Sequence, residues 1–210
     1  MLRAGPDYLA RNGGSVDSGP PPVWRRLFHL TAGTSVPIAG IFAPETGMIM
    51  ALAVLSGGAL VLDLARFRLR WLNRQFLRML APLLKHDEGH RITGATYLVT
   101  GGLLAFLLFG ADVAVPALLF LSLGDPVAAL VGRRMPGPRL RGKSPGGTAA
   151  FVVVAMAVVA VLWGTGAVDY HWGMWVGALV AGVVELASIP PDDNAAIPLV
   201  AGAAMYFLGV

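Results

Sequence analysis

The chain has 210 residues, 56% of them hydrophobic and 13% charged, with a formal net charge of +4 and no cysteine. At a mean hydropathy of +0.68, a water-soluble domain of this size would have too little polar surface to cover its core, so the composition excludes an ordinary soluble fold and points to lipid. Without cysteine there is neither a disulfide nor a thiolate metal site, and no nucleic-acid partner is expected.

Residues 1–22, which contain Gly13-Gly14 and Pro20-Pro21-Pro22 and no apolar core, read as a disordered cytoplasmic tail and not as a signal peptide. Residues 23–210 read as one integral membrane catalytic domain. Apolar stretches at 27–44, 46–64, 92–110, 113–131, 147–163, 172–189 and 196–209 approach the roughly 17–25 residues of a membrane-crossing helix. The expected fold class is therefore all-α, a polytopic membrane bundle of about seven transmembrane helices. The 27 glycines do not argue against helix, because small residues let membrane helices approach closely.

The basic residues fall in three segments. Arg3, Arg11, Arg25 and Arg26 precede the first stretch, Arg66, Arg68, Arg70, Arg74, Arg78, Lys85 and Arg91 lie between the second and third, and Arg133, Arg134, Arg139, Arg141 and Lys143 follow the fourth; together they account for all sixteen Lys and Arg. With seven alternating spans these segments share one face, which the positive-inside rule makes cytoplasmic, along with the N-terminus. The loops 65–91, 132–145 and 190–195 are expected on that face and the C-terminus on the other. A multi-pass protein of the cell membrane is the expected setting.

This topology sorts the carboxylates. Asp63, Asp125, Glu185, Asp192 and Asp193 lie in or beside cytoplasmic helix ends. An ionisable group in or near hydrocarbon costs roughly 2.5–3.5 kcal/mol to insert, so those kept there usually have a partner and a task. Between the fourth and fifth stretches, Gly124-Asp125-Pro126 is followed by Arg133, Arg134, Arg139, Arg141, Gly142, Lys143, Ser144, Pro145, Gly146 and Gly147. A carboxylate and a glycine-rich cationic loop at one membrane edge are the groups that phosphoryl transfer needs: backbone N–H donors, a helix N-terminus and a lysine point charge for phosphate, with carboxylates for Mg²⁺ or for an incoming hydroxyl. Gly137 to Ser144 also satisfies the Walker A pattern, but a membrane helix stands where the motif needs a strand, and Pro145 follows the serine, so a P-loop NTPase is rejected.

Each candidate has a plainer reading. The cationic loop could bind lipid headgroups. Asp125-Pro126 could start a helix as cap and first-turn proline, and in Pro190-Pro191-Asp192-Asp193-Asn194 the asparagine alone could cap the last helix. Glu185 could pair with an arginine, Asp63 with Arg66 three residues on, and His29 could be either a phosphate donor or a packed, hydrogen-bonded histidine.

Three segments carry a resemblance. Gly124-Asp125-Pro126 through Gly132-Arg133-Arg134, Gly142-Lys143-Ser144-Pro145-Gly146-Gly147 through Phe151, and Asp192-Asp193-Asn194 through Pro198 resemble the CTP-dependent polyprenol, dolichol, phytol and diacylglycerol kinase family. Arg25-Arg26-Leu27-Phe28-His29 and Arg91 to Tyr97 are also similar to it. The resemblance implies transfer of the γ-phosphate of CTP to the hydroxyl of a membrane lipid alcohol at the cytoplasmic face, aided by Mg²⁺ or another divalent cation. Members of the family it resembles often carry an aliphatic residue and then Glu-Gly after the Lys-Ser pair, whereas this chain has Pro145-Gly146, so any role of that glutamate falls to another carboxylate here.

Residues and resemblance combine into one expected site. Lys143, the Gly142–Gly147 backbone including Ser144 and Gly146, His29, Arg133 and Arg134 would hold the triphosphate; Asp125, Asp192, Asp193 and Glu185 would form the metal set; Asp125, Lys143 and Asp193 would be catalytic. A phosphatidate cytidylyltransferase, which attacks the α-phosphate, and an ion-coupled transporter built on Asp63, Glu185 and His29 are the rival readings. Oligomeric state and the lipid acceptor are not legible.

Overall fold

The computed structural model describes residues 23–80 and 91–210, with side chains from residue 30 onward; the tail expected over residues 1–22 lies outside the described residues. The described residues form eight helices: α1 (Val23–Phe42), α2 (Glu45–Arg68), α3 (Arg70–Leu80), α4 (Gly94–Phe109), α5 (Ala111–Arg134), α6 (Pro145–Thr165), α7 (Gly173–Ala187) and α8 (Asp193–Phe207). Each of the seven apolar stretches is helical, and α3 is an addition inside what reads in the sequence as a basic loop. By length and composition, α2, α5 and α6 are long and apolar enough to cross a membrane. Met50, Val54, Leu55 and Val61 of α2 are all more than half exposed, an apolar surface of the kind that lipid covers and water does not.

α5 is the core of the bundle. Every residue from Val113 to Leu118 is fully buried, and the helix runs unbroken through Pro116 and Pro126. Contacts with α1, α4, α6 and α8 surround it. Close approach depends on glycines at two seams: a Cβ on Gly101 of α4 would lie 2.9 Å from the Ala195 backbone at the start of α8, and one on Gly147 of α6 would lie 2.7 Å from the Ala128 carbonyl oxygen of α5.

The two ends of the bundle differ in chemistry. At one end α2 and α5 finish with Arg66, Arg68, Arg133 and Arg134 in their last turns, where cations complement the carbonyl end of the helix dipole. At the other end Glu45 and Asp112 occupy first turns, and aromatic rings gather. Trp163 stacks on Tyr170 at 5.0 Å between centroids, Trp175 Nε1 donates to the Tyr170 hydroxyl at 3.1 Å, and Tyr206 lies 5.7 Å from Phe109. Amphipathic aromatics at one level of an apolar bundle are what a membrane interface selects.

Asp63 and Arg66 pair as expected, Arg66 Nε donating to Asp63 Oδ1 at 2.6 Å with both side chains almost wholly buried. The second carboxylate oxygen accepts from the Thr93 amide at 3.0 Å and the Thr96 hydroxyl at 2.7 Å, which ties α2 to the start of α4. Arg66 also donates to Asn73 Oδ1 at 3.3 Å and to the Arg91 carbonyl oxygen. A buried charge is tolerable when pairing and hydrogen bonds compensate its lost hydration, and these bonds do so. Asp63 and Arg66 thus belong to a structural lock.

Candidate functional site

Among the described residues, the basic end also holds an ionic cluster built around Lys143. After α5 the chain makes a tight hairpin: Leu140 and Lys143 exchange two backbone hydrogen bonds of 2.9 Å, with Arg141 at φ +48 and Gly142 at φ +86 between them. Two consecutive positive φ values in a two-residue turn suit glycine at the second position and strain arginine at the first. The hairpin tip is held by Arg141, which donates from Nη1 to the Ala187 carbonyl oxygen at 2.9 Å at the end of α7. Arg139 similarly donates from Nη2 to the Gly132 carbonyl oxygen at 3.2 Å near the end of α5. These two arginines therefore donate to carbonyl oxygens at helix C-termini, where cations complement the helix dipole.

The hairpin delivers Lys143 to three carboxylates on three helices. Its Nζ lies 3.2 Å from Asp125 Oδ1 of α5, 2.9 Å from Glu185 Oε1 of α7 and 3.0 Å from Asp193 Oδ2 of α8. An ammonium has three N–H donors, and each has an acceptor here. Burial opposes the charge on Lys143, but Asp125, Asp193 and Glu185 outweigh it and leave the amine more basic than an ordinary lysine. Glu185 side-chain exposure is 2%, against 30% for Asp125 and 23% for Asp193. Glu185 is thus the inner carboxylate, and its other oxygen accepts from the Thr148 hydroxyl at 2.7 Å.

The plainer readings can now be decided. Asp125 lies within continuous α5 and is no helix cap. Asp192, not Asn194, caps α8, its Oδ1 accepting from the Asn194 amide at 3.0 Å and from Asn194 Nδ2 at 2.7 Å. Glu185 pairs with Lys143, where the sequence offered an arginine. The adjacent Asp192 and Asp193 thus divide their tasks, one shaping the helix start and the other joining the cluster.

The glycine-rich run expected to cradle phosphate also has structural partners. Ser144 is the N-cap of α6 and accepts from the Gly147 amide at 3.0 Å, with Pro145 in the first turn, so the Gly147 amide is already committed. Gly132 and Gly147 serve the α5–α6 seam, since a Cβ on Gly132 would stand 2.7 Å from Ser144 Oγ. Gly146 packs beside Met135. Arg133 and Arg134 are exposed at the end of α5. His29 lies in α1 one turn before Gly33, whose Cα faces Ser122 of α5; its side chain is outside the described residues.

Among the described residues, no group of three or more His, Cys, Asp or Glu is placed to hold a metal ion by itself. Of the four carboxylates expected to form a metal set, Asp125, Glu185 and Asp193 converge, and the group between them is the Lys143 ammonium. Three carboxylates around one lysine still leave the cluster two negative charges out of balance. Those charges and the N-termini of α6 and α8 lie at the same spot, so it can attract both a cation and an anion.

Fold and site together define an apolar helical bundle with an ionic centre at its basic end. Over 161 residues the chain is 25% identical to CTP-dependent diacylglycerol kinase 1 of Schizosaccharomyces pombe, covering 70% of this chain and 74% of that protein. It is 30% identical over 107 residues to the enzyme of the same name from Saccharomyces cerevisiae, covering 50% of this chain and 37% of that one. An uncharacterised protein of Rickettsia prowazekii is 25% identical over 181 residues, 83% of this chain and 88% of its own length. Neither a protein-family model nor a solved structure matches the chain.

Proposed function

We propose that the protein is a membrane lipid kinase that transfers the γ-phosphate of CTP to the hydroxyl of a lipid alcohol, a diacylglycerol, polyprenol or phytol-like alcohol, at the cytoplasmic face. The observation that carries this reading is the convergence of Asp125, Glu185 and Asp193 on Lys143 at the basic end of an apolar bundle. Similarity to CTP-dependent diacylglycerol kinases supports the donor and the acceptor class.

The roles follow from exposure. Lys143 is the group for phosphate charge, because positioning and charge neutralisation supply most of the acceleration in phosphoryl transfer. Asp125 and Asp193, the outer carboxylates, would hold a divalent cation; Mg²⁺ takes one or two carboxylates and completes its shell with substrate phosphates and water. When bound, that ion supplies charge neutralisation at the triphosphate. In this reading Glu185, the innermost of the three carboxylates, is the one that orients the hydroxyl of the lipid alcohol. The alcohol oxygen bonds to the γ-phosphorus, the bond from that phosphorus to the β-phosphate oxygen breaks, CDP leaves, and a carboxylate of the cluster takes the hydroxyl proton.

Seven membrane-crossing helices with the basic end inside complete this reading. A cysteine placed at position 139 of the cysteine-free chain stays unlabelled by an impermeant reagent in intact cells; labelling there overturns the orientation. Incubation of the purified protein with γ-labelled CTP and a panel of lipid alcohols tests the chemistry. Label in the lipid supports the kinase, whereas label released as pyrophosphate with cytidine left on the lipid assigns the protein to cytidylyl transfer.

A further inference from the structure

Helix α3 takes no part in the Lys143 cluster. It begins immediately after Leu69, whose extended backbone ends α2. In a continuous helix Arg66 and Phe76 would be roughly 15 Å apart along the axis, yet the Arg66 guanidinium carbon stands 4.6 Å from the Phe76 ring centroid. The chain therefore folds back, and α3 is docked through Phe76 and Asn73 onto the locked Asp63–Arg66 pair.

The rest of its surface has an order that topology alone does not require. Arg70, Arg74 and Arg78 recur every fourth residue, which places them on one strip of the helix, and all three are exposed. On the arc beside that strip stand Trp71, 58% exposed, and Met79, 78% exposed. No acidic residue occurs from Leu64 to Lys85. The positive-inside rule accounts for cations on this side, but not for their alignment or for large apolar side chains next to them. Water would leave Trp71 and Met79 unfavourably exposed, and hydrocarbon would do the same to the arginines. A headgroup layer satisfies both, with the guanidiniums at the phosphates and the apolar edge at the acyl boundary.

We propose that α3 is an interfacial helix that binds the headgroup surface of the adjoining leaflet with a preference for anionic phospholipid. Each arginine near such a surface contributes roughly a fivefold preference. Because α3 is docked on Arg66, that contact also fixes the depth at which the basic end of the bundle sits.

The natural absence of cysteine makes the test direct. Gln75, exposed and set between Trp71 and Met79 on the helical arc, is replaced by cysteine and labelled with a fluorophore. The full chain is placed in nanodiscs of mixed phosphatidylcholine and phosphatidylglycerol, and quenching by headgroup-spin-labelled forms of each lipid is compared. The expected result is severalfold stronger quenching by phosphatidylglycerol, abolished in R70Q/R74Q/R78Q and reduced at about 1 M salt, where screening is short-ranged. Equal quenching by both lipids, quenching by neither, or an unchanged preference in the triple variant overturns the proposal. The comparison of lipids on the unsubstituted arginines decides the matter even where the triple variant does not fold, and R70K/R74K/R78K, which keeps the charges, retains the preference.

Discussion

Thr148 donates a 2.7 Å hydrogen bond to Glu185, and through it α6 fixes the carboxylate that α7 supplies to the site. Glu185 is almost fully buried, so a lost donor is not replaced by water. Thr148→Val keeps the shape of the side chain and removes the hydroxyl; it is expected to destabilise the protein by about 1–3 kcal/mol, the cost of leaving a buried acceptor short of a partner. Thermal unfolding in detergent micelles measures the loss. An unchanged midpoint would mean that the contact contributes nothing.

Lys143 and Asp125 should separate stability from turnover. Lys143→Met and Asp125→Asn are each expected to lower kcat by on the order of 100-fold or more, as for removal of a single charge-stabilising group at a transition state. Circular dichroism of both variants is expected to retain the helical content of the parent. Near-normal turnover by Asp125→Asn would remove this carboxylate from the proposed chemistry.

The pH dependence follows from the direction of the Lys143 shift. Its amine is more basic in the folded chain, with burial outweighed by Asp125, Asp193 and Glu185. A raised folded pKa contributes stability that is fully present below the ordinary lysine value, about 10.4, and is lost only as pH rises through the folded value. Lys143 therefore stays charged throughout the neutral range, and acylation by an amine-directed reagent at pH 9 is expected to be slower than for a free lysine side chain. Peptide mapping of the time course reads this out; modification of Lys143 at the free-lysine rate would contradict the ion-paired geometry.

Ser122 offers a substitution in the opposite direction. Among the described residues its Oγ is the buried side-chain polar atom without a hydrogen-bond partner, set against Gly33 of α1. Ser122→Ala removes an uncompensated hydroxyl from the interior and is expected to stabilise the fold by about 1 kcal/mol, seen as a higher unfolding midpoint. A lower midpoint would show that the hydroxyl has a partner in the membrane-embedded protein.

The sequence made the helices legible where apolar runs were long, because burial along 113–121 leaves no polar position to mislead. It hid α3, since seven cations between two apolar runs read first as a loop marking topology; the fourfold spacing of Arg70, Arg74 and Arg78 opposite Leu72, Phe76 and Leu80 was the available signal. Lys143, Asp125, Glu185 and Asp193 were visible as unusual charges beside apolar helices. The roles of Arg139 and Arg141 were not, because their acceptors are carbonyl oxygens of helix ends that only the tertiary fold brings within reach. The packing role of two glycines was equally hidden: Gly132 and Gly147 answer to the distance between α5 and α6, which no local pattern encodes.

Asp193 opens α8, the last of the described helices, while Asp125 lies in α5. During synthesis the ionic centre therefore stays incomplete until α8 has docked, and Gly101 of α4 waits for the same event, because its close neighbour is the start of α8. Assembly of the site and docking of α8 are thus one step, and a chain in which α8 is missing or mis-inserted leaves Lys143 beside only two of its three carboxylates, so the proposed chemistry waits for α8.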